Sequence, residues 1–139
     1  MLVLDTNHFS EFRRGTPPAV RLRERLRLCH EDSALTVVTA EEVMRGWLAE
    51  LQRHREEHRI IEGYRRLSES IEDLAEWTLL PWTEETTARF RSLRAGRLRI
   101  GTQDLRIACI ALAHDATLLT RNLADFRQVP GLRVENWLD

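Results

Sequence analysis

The sequence contains no lysine, because all 21 of its basic residues are arginine. P-loop nucleotide hydrolases need a lysine on the β- and γ-phosphates of their substrate, so that class is excluded. Cysteine is also scarce: only Cys29 and Cys109 are present, and they lie far apart in the sequence. Cys109 falls within the apolar stretch "IACIALA", which predicts a buried, reduced thiol and favours a cytoplasmic protein.

Long apolar runs are missing as well. The longest run is far shorter than the roughly twenty residues that a membrane-spanning helix needs. No charged segment followed by an apolar segment precedes a cleavage site, so we expect a cytoplasmic protein that is neither exported nor membrane-spanning. A chain of 139 residues has the size of one ordinary domain. With no repeat and no linker in it, the sequence predicts a single domain over residues 1–139.

The net charge is only −1, but the arginines are unevenly distributed. Six arginines and one acid, Glu24, lie between Arg13 and Arg27, and five arginines with no acid lie in "ARFRSLRAGRLR" at 88–99. Such runs attract phosphate backbones by counterion release. Either run taken alone is equally explained by a solvated helix face. A nucleic-acid partner is therefore indicated only together with other features.

Short apolar runs alternate with amphipathic segments, a pattern typical of an α/β domain with a parallel sheet. Strands are predicted at 2–5, 34–38, 77–80, 117–120 and, as a weaker edge, 132–135. Helices are predicted at 17–28, with an apolar face of Val20, Leu22, Leu26 and Leu28, over a long region from about 40 to 75 that breaks near 54–58, and at 84–95 and 103–114. The long region is expected to form a helical hairpin.

Four acids lie close to the starts of predicted helices: Asp5, Glu42, Asp104 and Asp125. Each has a local explanation. Asp5 or Thr6 can cap the first helix, Thr39 and Glu42 fit a capping box, and Thr102 and Asn122 can cap the helices that carry the last two acids. However, the carboxyl ends of parallel strands open on one edge of a sheet, so the same four acids are also expected to converge there.

Converging carboxylates repel one another and raise their own pKa values unless a cation lies between them. A site made of carboxylate and water oxygens suits Mg²⁺ or Mn²⁺, and the lack of a cysteine and histidine cluster speaks against zinc. His54 and His58 have a possible ligand spacing, but they lie in a polar, arginine-rich segment that a solvated helix face explains better. The four acids therefore predict a divalent metal site.

Four stretches of the chain together resemble a PIN domain, specifically the VapC type of toxin ribonuclease. They are "LVLDTN", "TAEEVMRG", "GTQDLRIACIALAHDATLLTRNLADF" and "VPGLRVENW". The resemblance implies a three-layer α/β/α sandwich around a mostly parallel sheet of four to five strands. It also implies an Mg²⁺- or Mn²⁺-dependent endoribonuclease that cuts structured RNA and usually forms a homodimer.

Carried over residue by residue, the resemblance assigns Asp5, Glu42, Asp104 and Asp125 as catalytic metal ligands. It assigns Thr6, Asn7 and Asn122 as supporting polar residues. Glu41 stands beside Glu42, and Glu42 is preferred because Gly46, four residues on, matches the family register. Such a site would activate a water molecule and stabilise charge on the scissile phosphate, with no side-chain nucleophile.

A toxin ribonuclease also implies a cognate antitoxin protein. An acidic pocket is a ready acceptor for a guanidinium group, so the antitoxin is expected to insert a basic side chain there. The remainder of the antitoxin is expected to lie on apolar residues of the region 40–75, which carries Trp47, Leu48, Leu51 and Tyr64, although these side chains are equally explained as core.

Two other functions remain open from the sequence. A PIN domain that has lost catalysis would only bind RNA or protein. A phosphoaspartyl phosphatase or receiver domain would use Asp5 as its nucleophile, but such folds normally add a second acid two residues away and a lysine. Position 7 is Asn7 and lysine is absent, so this second alternative is disfavoured.

Overall fold

The computed structural model describes residues 1–139 and contains one five-stranded, fully parallel sheet. The strands are β1 (Leu2–Leu4), β2 (Ser33–Thr36), β3 (Leu79–Leu80), β4 (Thr117–Leu119) and β5 (Arg133–Glu135). Their order in the sheet is β3-β2-β1-β4-β5, so β1 lies at the centre. All five predicted strands are present, and the prediction of a parallel sheet is confirmed.

Seven helices connect and cover the strands. They are α1 (Thr6–Phe12), α2 (Pro17–Leu28), α3 (Val37–Arg53), α4 (Glu57–Ala75), α5 (Glu84–Arg94), α6 (Thr102–Ala113) and α7 (Leu123–Phe126). The predicted break in the long helical region is confirmed, since α3 and α4 form an antiparallel hairpin joined at residues 54–56. None of these helices is both long enough and apolar enough to cross a membrane.

Alternate side chains of β1 enter separate cores on the two faces of the sheet. Val3 packs with α6 and α7 in one cluster, whereas Leu2 and Leu4 pack with α1, α2 and α4 in the other. A short apolar strand buried on both faces is the expected pattern for a parallel sheet covered by helices. The three-layer α/β/α sandwich is therefore confirmed.

Cys109 lies on the buried face of α6. The side chain is fully buried, and burial raises the pKa of its thiol to about 11. The thiol therefore stays protonated near neutral pH, and both cysteines of the chain are free. The prediction of a buried, reduced thiol at this position is confirmed.

Two predicted caps are wrong, and so is one strand end. β2 ends at Thr36, because the Thr36 side chain caps α3 by accepting the Thr39 N–H at 3.1 Å. Val37 and Val38 are thus helical, and the capping box proposed for Thr39 and Glu42 does not form. α6 likewise begins one residue earlier than predicted, with Gly101 rather than Thr102 at its N-cap.

The apolar face predicted for α2 is only partly correct. Leu22 is fully buried and Leu26 is partly buried, but Val20 and Leu28 are more than half exposed. Ala19 takes the place expected for Val20 against the core. A small side chain at the contact allows α2 to pack close to its neighbours, whose positions the sequence of α2 alone does not reveal.

Candidate active site

A polar pocket opens at the carboxyl ends of β1, β2 and β4. Its walls are Asp5, Thr6, Asn7, Ser10, Glu11, Arg14, Glu42, Asp104, Arg121 and Asn122, with no apolar side chain among them. Six of the seven residues named as catalytic or supporting from the sequence are in this set. The exception is Asp125. Residues separated by more than a hundred positions meet here because the parallel strands end on one edge of the sheet.

Asp5 follows β1 directly and caps α1. The residue is 7% exposed, and its Oδ1 accepts the His8 N–H at 2.8 Å. The His8 ring is fully buried behind it, with Nδ1 3.4 Å from the same oxygen. His8 Nε2 accepts the backbone N–H of Trp137 at 3.3 Å, so a neutral ring carries its proton on Nδ1, facing Asp5.

Glu42 lies in the second turn of α3 and is held by Thr6. The Thr6 hydroxyl donates to Glu42 Oε1 at 2.7 Å and lies 3.0 Å from the Thr39 hydroxyl. The neighbouring Glu41 is different: it pairs with Arg45 and accepts from Gln103 on the outer surface. Of the two adjacent glutamates, Glu42 is therefore the one that lines the pocket.

Asp104 lies in the first turn of α6, and its pKa is raised above the ordinary value. Partial burial is the largest cause, followed by the negative charges of Glu42 and Asp5. The amide of Asn122 opposes the rise, and Asp125 adds the smallest contribution to it. Asp104 therefore shares the pocket with two acids, Glu42 and Asp5, whose negative charges disfavour its ionised form.

Asp125 lies in α7, next to the pocket rather than in its wall. The Asn122 side chain donates from Nδ2 to Asp125 Oδ2 at 2.9 Å, and Asn122 itself lines the pocket. The expected positions of these residues at the start of α7 are correct, since Asn122 is the N-cap residue, although its side chain makes no capping hydrogen bond. Asp125 thus contacts the site through Asn122.

Three carboxylates of the pocket have no arginine partner. Arg14 pairs with Glu11 at 3.4 Å, and Arg121 pairs with Asp139 at 3.4 Å. Asp5, Glu42 and Asp104 have no arginine within 4.0 Å. A pocket with three uncompensated carboxylates attracts a cation, because no arginine of the chain offsets their mutual repulsion.

The donor set of this pocket fits a divalent cation with a preference for oxygen. All the candidate ligands are carboxylate oxygens, with hydroxyl and amide groups around them, which suits Mg²⁺ or Mn²⁺. No three acidic, histidine or cysteine side chains are gathered closely enough to enclose an ion by themselves. Mg²⁺ does not require such a cage, since it is commonly held by one or two carboxylates together with water and substrate phosphates.

The sequence interpretation missed four residues of the pocket wall, of which Glu11 is the most buried. Glu11 accepts from the Thr16 hydroxyl at 2.6 Å and from Arg14. Asn7, Ser10 and Glu11 lie at helical spacing on α1, and that periodicity could have placed Ser10 and Glu11 beside Asn7. No comparable local signal exists for Arg121.

A parallel α/β sandwich with an acidic pocket at the carboxyl edge of its sheet defines the class of protein to which this chain belongs. The family profile described as "PIN domain" matches residues 2–132, nearly the whole chain. The chain belongs to the PIN domain family.

Among characterised relatives, the chain is similar to several ribonucleases. It is 50% identical to Ribonuclease VapC2 of Rickettsia felis over 40 residues, which cover 29% of this chain and 30% of the relative. It is 36% identical to Ribonuclease VapC2 of Haemophilus influenzae over 74 residues, which cover 49% of this chain and 55% of the relative. These alignments thus span only 30% to 55% of the relatives' length.

Solved structures match over nearly the entire fold. FitAcB from Neisseria gonorrhoeae has a TM-score of 0.73 and 28% identity, with 99% of this chain and 98% of that chain covered. VapBC2 from Rickettsia felis, bound to a DNA fragment from its promoter, has a TM-score of 0.70 and 23% identity, with 98% of both chains covered. At 23% identity, the similarity to VapBC2 shows a shared fold and nothing more.

Proposed function

We propose that this chain is a metal-dependent endoribonuclease of the VapC type, the toxin of a toxin–antitoxin pair. The observation that supports this most directly is the trio of uncompensated carboxylates, Asp5, Glu42 and Asp104, in one polar pocket. The similarity to proteins named Ribonuclease VapC adds to it. The substrate we propose is structured RNA.

In this proposal, Asp5, Glu42 and Asp104 hold Mg²⁺ or Mn²⁺, and Asp125 contributes directly or through water. When bound, such a cation lowers the pKa of a coordinated water and stabilises the charge that develops on the scissile phosphate. Thr6 fixes the rotamer of Glu42 through its hydroxyl, and Asn122 holds Asp125 at the pocket mouth. Asn7 is exposed beside Asp5 and is free to contact the RNA.

The test is cleavage of structured RNA by purified protein that has been freed of any partner. We expect cutting with Mg²⁺ or Mn²⁺ that is lost in excess EDTA. Asp5→Asn and Asp104→Asn should abolish cutting without unfolding the protein. Glu42→Gln should reduce the rate at least a hundredfold, on the order of the effect of removing one group that stabilises transition-state charge.

Glu41→Gln provides the matched control, because it changes the same chemical group one position away, outside the pocket. Its rate should stay close to that of the unchanged protein. Full cleavage in excess EDTA would rule out the metal mechanism. RNA binding with no cleavage under any metal would instead identify a PIN domain that has lost catalysis.

We also propose that an antitoxin protein inhibits the chain. A groove between α1, α3 and α4 begins at Thr6 and Glu42 in the acidic pocket and continues past Trp47 to Glu69 and Asp73. Acids and arginines both line it, but Glu42 at its inner end has no arginine partner, so a guanidinium group that enters there would replace the positive charge of the metal. Solved relatives include a toxin–antitoxin complex from Klebsiella pneumoniae.

Co-expression with the product of the neighbouring reading frame tests this inhibitor. We expect growth arrest and RNA cleavage when the chain is expressed alone, and neither when both products are present. Trp47→Ala should weaken the inhibition, because Trp47 lines the groove. Leu51 lies beside Gly63 inside the hairpin and is not expected to contact the antitoxin. Harmless expression alone, with cleavage unaffected by the neighbour, would contradict the toxin assignment.

We further propose that residues 1–139 act as a single PIN domain, in the cytoplasm and as a homodimer. Support comes from the family profile, which spans residues 2–132. Sedimentation of the purified chain at several concentrations tests the dimer, and a mass of one chain at every concentration would contradict it.

A further inference from the structure

Most arginines of the first arginine-rich run neutralise an acidic neighbour. Arg13 pairs with Asp73, Arg14 with Glu11, Arg25 with Glu135 and Arg27 with Glu24. Arg23, in the same run, donates to the backbone carbonyls of Phe12 and Arg14. These guanidinium groups serve the fold, so this run offers little charge to a phosphate backbone.

The second run is different. Arg91, Arg94, Arg97 and Arg99 have no acidic group within 4.0 Å, and neither does Arg106 on the following helix. The chain has no acid between Glu85 and Asp104. The two runs look alike in sequence, but the second carries more uncompensated positive charge, since only Arg89 of its five arginines pairs with an acid.

This charge is presented on an ordered segment. In "RLRI" at 97–100, Leu98 and Ile100 pack against the core, whereas Arg97 and Arg99 are exposed. The Gln128 side chain holds the segment on both sides, accepting the Arg99 N–H at 3.0 Å and donating to the Arg99 carbonyl at 3.2 Å. These contacts hold the backbone of the segment and leave the side chains of Arg97 and Arg99 on the surface.

An aromatic residue lies beside these arginines. The Trp82 ring packs edge-on against Phe90, with 5.9 Å between the ring centroids, and the guanidinium groups of Arg94 and Arg106 lie 5.5 and 5.6 Å from the Phe90 ring. Trp82 is 36% exposed and lines a surface pocket together with Arg91 and one acid, Glu84. An exposed indole next to unpaired arginines is the arrangement that binds single-stranded nucleic acid by stacking and charge.

The same surface is joined to the acidic pocket. Arg94 donates from Nη1 to the Thr102 hydroxyl at 2.9 Å, and Thr102 is the first residue of α6. Asp104 lies two residues further along the same helical turn. An RNA strand that contacts Arg94 therefore reaches the N-terminal end of α6. This end carries Asp104, one of the proposed metal ligands.

We propose that Trp82, Arg91, Arg94, Arg97, Arg99 and Arg106 form an RNA track. The track binds an unpaired strand of the substrate, with its phosphates on the arginines and one base stacked on Trp82, and it leads that strand to the acidic pocket. This inference rests on the proposed ribonuclease function and specifies the surface that holds the substrate.

The first test measures binding of a single-stranded RNA to the full chain in EDTA, where no cleavage occurs, as a function of salt concentration. Arg97→Gln with Arg99→Gln should weaken binding and flatten the dependence of log K on log salt by about 0.7 for each phosphate that is no longer bound. Arg25→Gln with Arg27→Gln is the matched control, with the same spacing in the paired run, and should leave the slope unchanged.

The second test concerns the stacked base. Trp82→Leu should weaken binding by roughly tenfold, since stacking of one base on an aromatic ring has about that effect. Trp82→Tyr keeps an aromatic face and should restore most of the affinity, which a purely structural role for Trp82 would not require. Circular dichroism of each variant shows that the fold is intact.

Equal decreases in affinity in the two double variants, or no decrease in either, would overturn the RNA track, as would a failure of the unchanged chain to bind RNA. A chain that binds RNA through the track but does not cut it with Mg²⁺ or Mn²⁺ would overturn the proposed function and leave the track standing. If the chain cuts RNA and the track variants have an unchanged KM, the RNA track would be overturned and the proposed function would stand.

Discussion

At the scale of single residues, Asp104 makes the stability of the chain depend on pH. Burial and the charges of Glu42 and Asp5 raise its pKa in the folded chain above the ordinary value of 3.8. The folded state therefore holds the proton more tightly than the unfolded state. The stabilising contribution is complete below pH 3.8 and is lost as pH rises through the folded pKa.

Asp104→Asn should consequently raise the free energy of unfolding of the metal-free chain at pH 7, and the gain should shrink as the pH falls toward 3.8. Urea denaturation of both proteins at several pH values in EDTA measures this gain in the free energy of unfolding. Asp32→Asn changes an exposed aspartate outside the pocket and should have little effect at any pH. An Asp104→Asn variant that is less stable at pH 7 would show that the site does not strain the fold.

His8 provides a second prediction at this scale. Its buried ring accepts the Trp137 N–H, and its Nδ1 has no hydrogen-bond partner. His8→Leu would leave the partly buried Trp137 N–H without its partner, which costs about 1 kcal/mol of stability. Denaturation should show this decrease, whereas His58→Leu on the exposed surface of α4 should stay within about 0.5 kcal/mol. Equal stabilities of the His8→Leu and His58→Leu variants would contradict the prediction.

The sequence identified three of the four acids in the pocket wall but not their charge balance. Asp5 and Glu42 follow strands and Asp104 begins a helix that crosses the same edge, so topology alone predicts that they meet. The pairing of Glu11 with Arg14 and of Arg121 with Asp139 depends on side-chain reach and packing, which sequence spacing does not determine. A similar limit applies to the first arginine run, because the acids that pair with Arg13 and Arg25 come from distant elements, Asp73 from α4 and Glu135 from β5.

At the scale of elements, the α3–α4 hairpin depends on a close approach at Gly63. A Cβ atom at this position would lie 2.6 Å from Leu51 Cδ2, whereas a Cβ atom at Gly46 would have no neighbour within 4 Å. Gly46→Ala should stabilise the chain by about 1 kcal/mol through helix propensity alone. Gly63→Ala gains the same propensity but must displace Leu51, a steric cost of about 1–3 kcal/mol.

Thermal or urea denaturation of the two alanine variants tests the hairpin, and Gly46→Ala should be the more stable of the pair. Adding Leu51→Val to Gly63→Ala should reduce the difference, because the shorter side chain leaves room for the new methyl group. Equal stabilities of the two single variants would mean that the helices separate at no cost.

Element positions were largely predictable because periodicity reports burial directly. The break between α3 and α4 and the bounds of α2 follow from such patterns. Boundaries set by a single side chain were not predictable: "ALTVV" reads as a continuous strand, but the Thr36 hydroxyl captures the Thr39 N–H and begins α3 early. Exposure of Val20 and Leu28 also could not be foreseen, since it depends on where the neighbouring elements lie.

At the scale of the whole molecule, metal binding should stabilise the fold. A ligand that binds only the native state adds about 2.7 kcal/mol at roughly a hundred times its Kd. We expect Mg²⁺ or Mn²⁺ to raise the melting temperature near neutral pH, and NaCl of equal ionic strength to have much less effect. Asp104→Asn should reduce the shift. A melting temperature indifferent to both metals would contradict a shared acidic site.

The central position of β1 has a consequence for synthesis of the chain. The ribosome makes Leu2–Leu4 before the other four strands of the sheet, yet one of its two partner strands, β4, contains residues 117–119. Until that strand has emerged, the middle of the sheet lacks one neighbour and Asp125 does not yet exist. A stop codon anywhere before β4 should therefore abolish both the fold and the proposed toxicity. Selection for survivors of unopposed expression should recover such late nonsense mutations as readily as early ones.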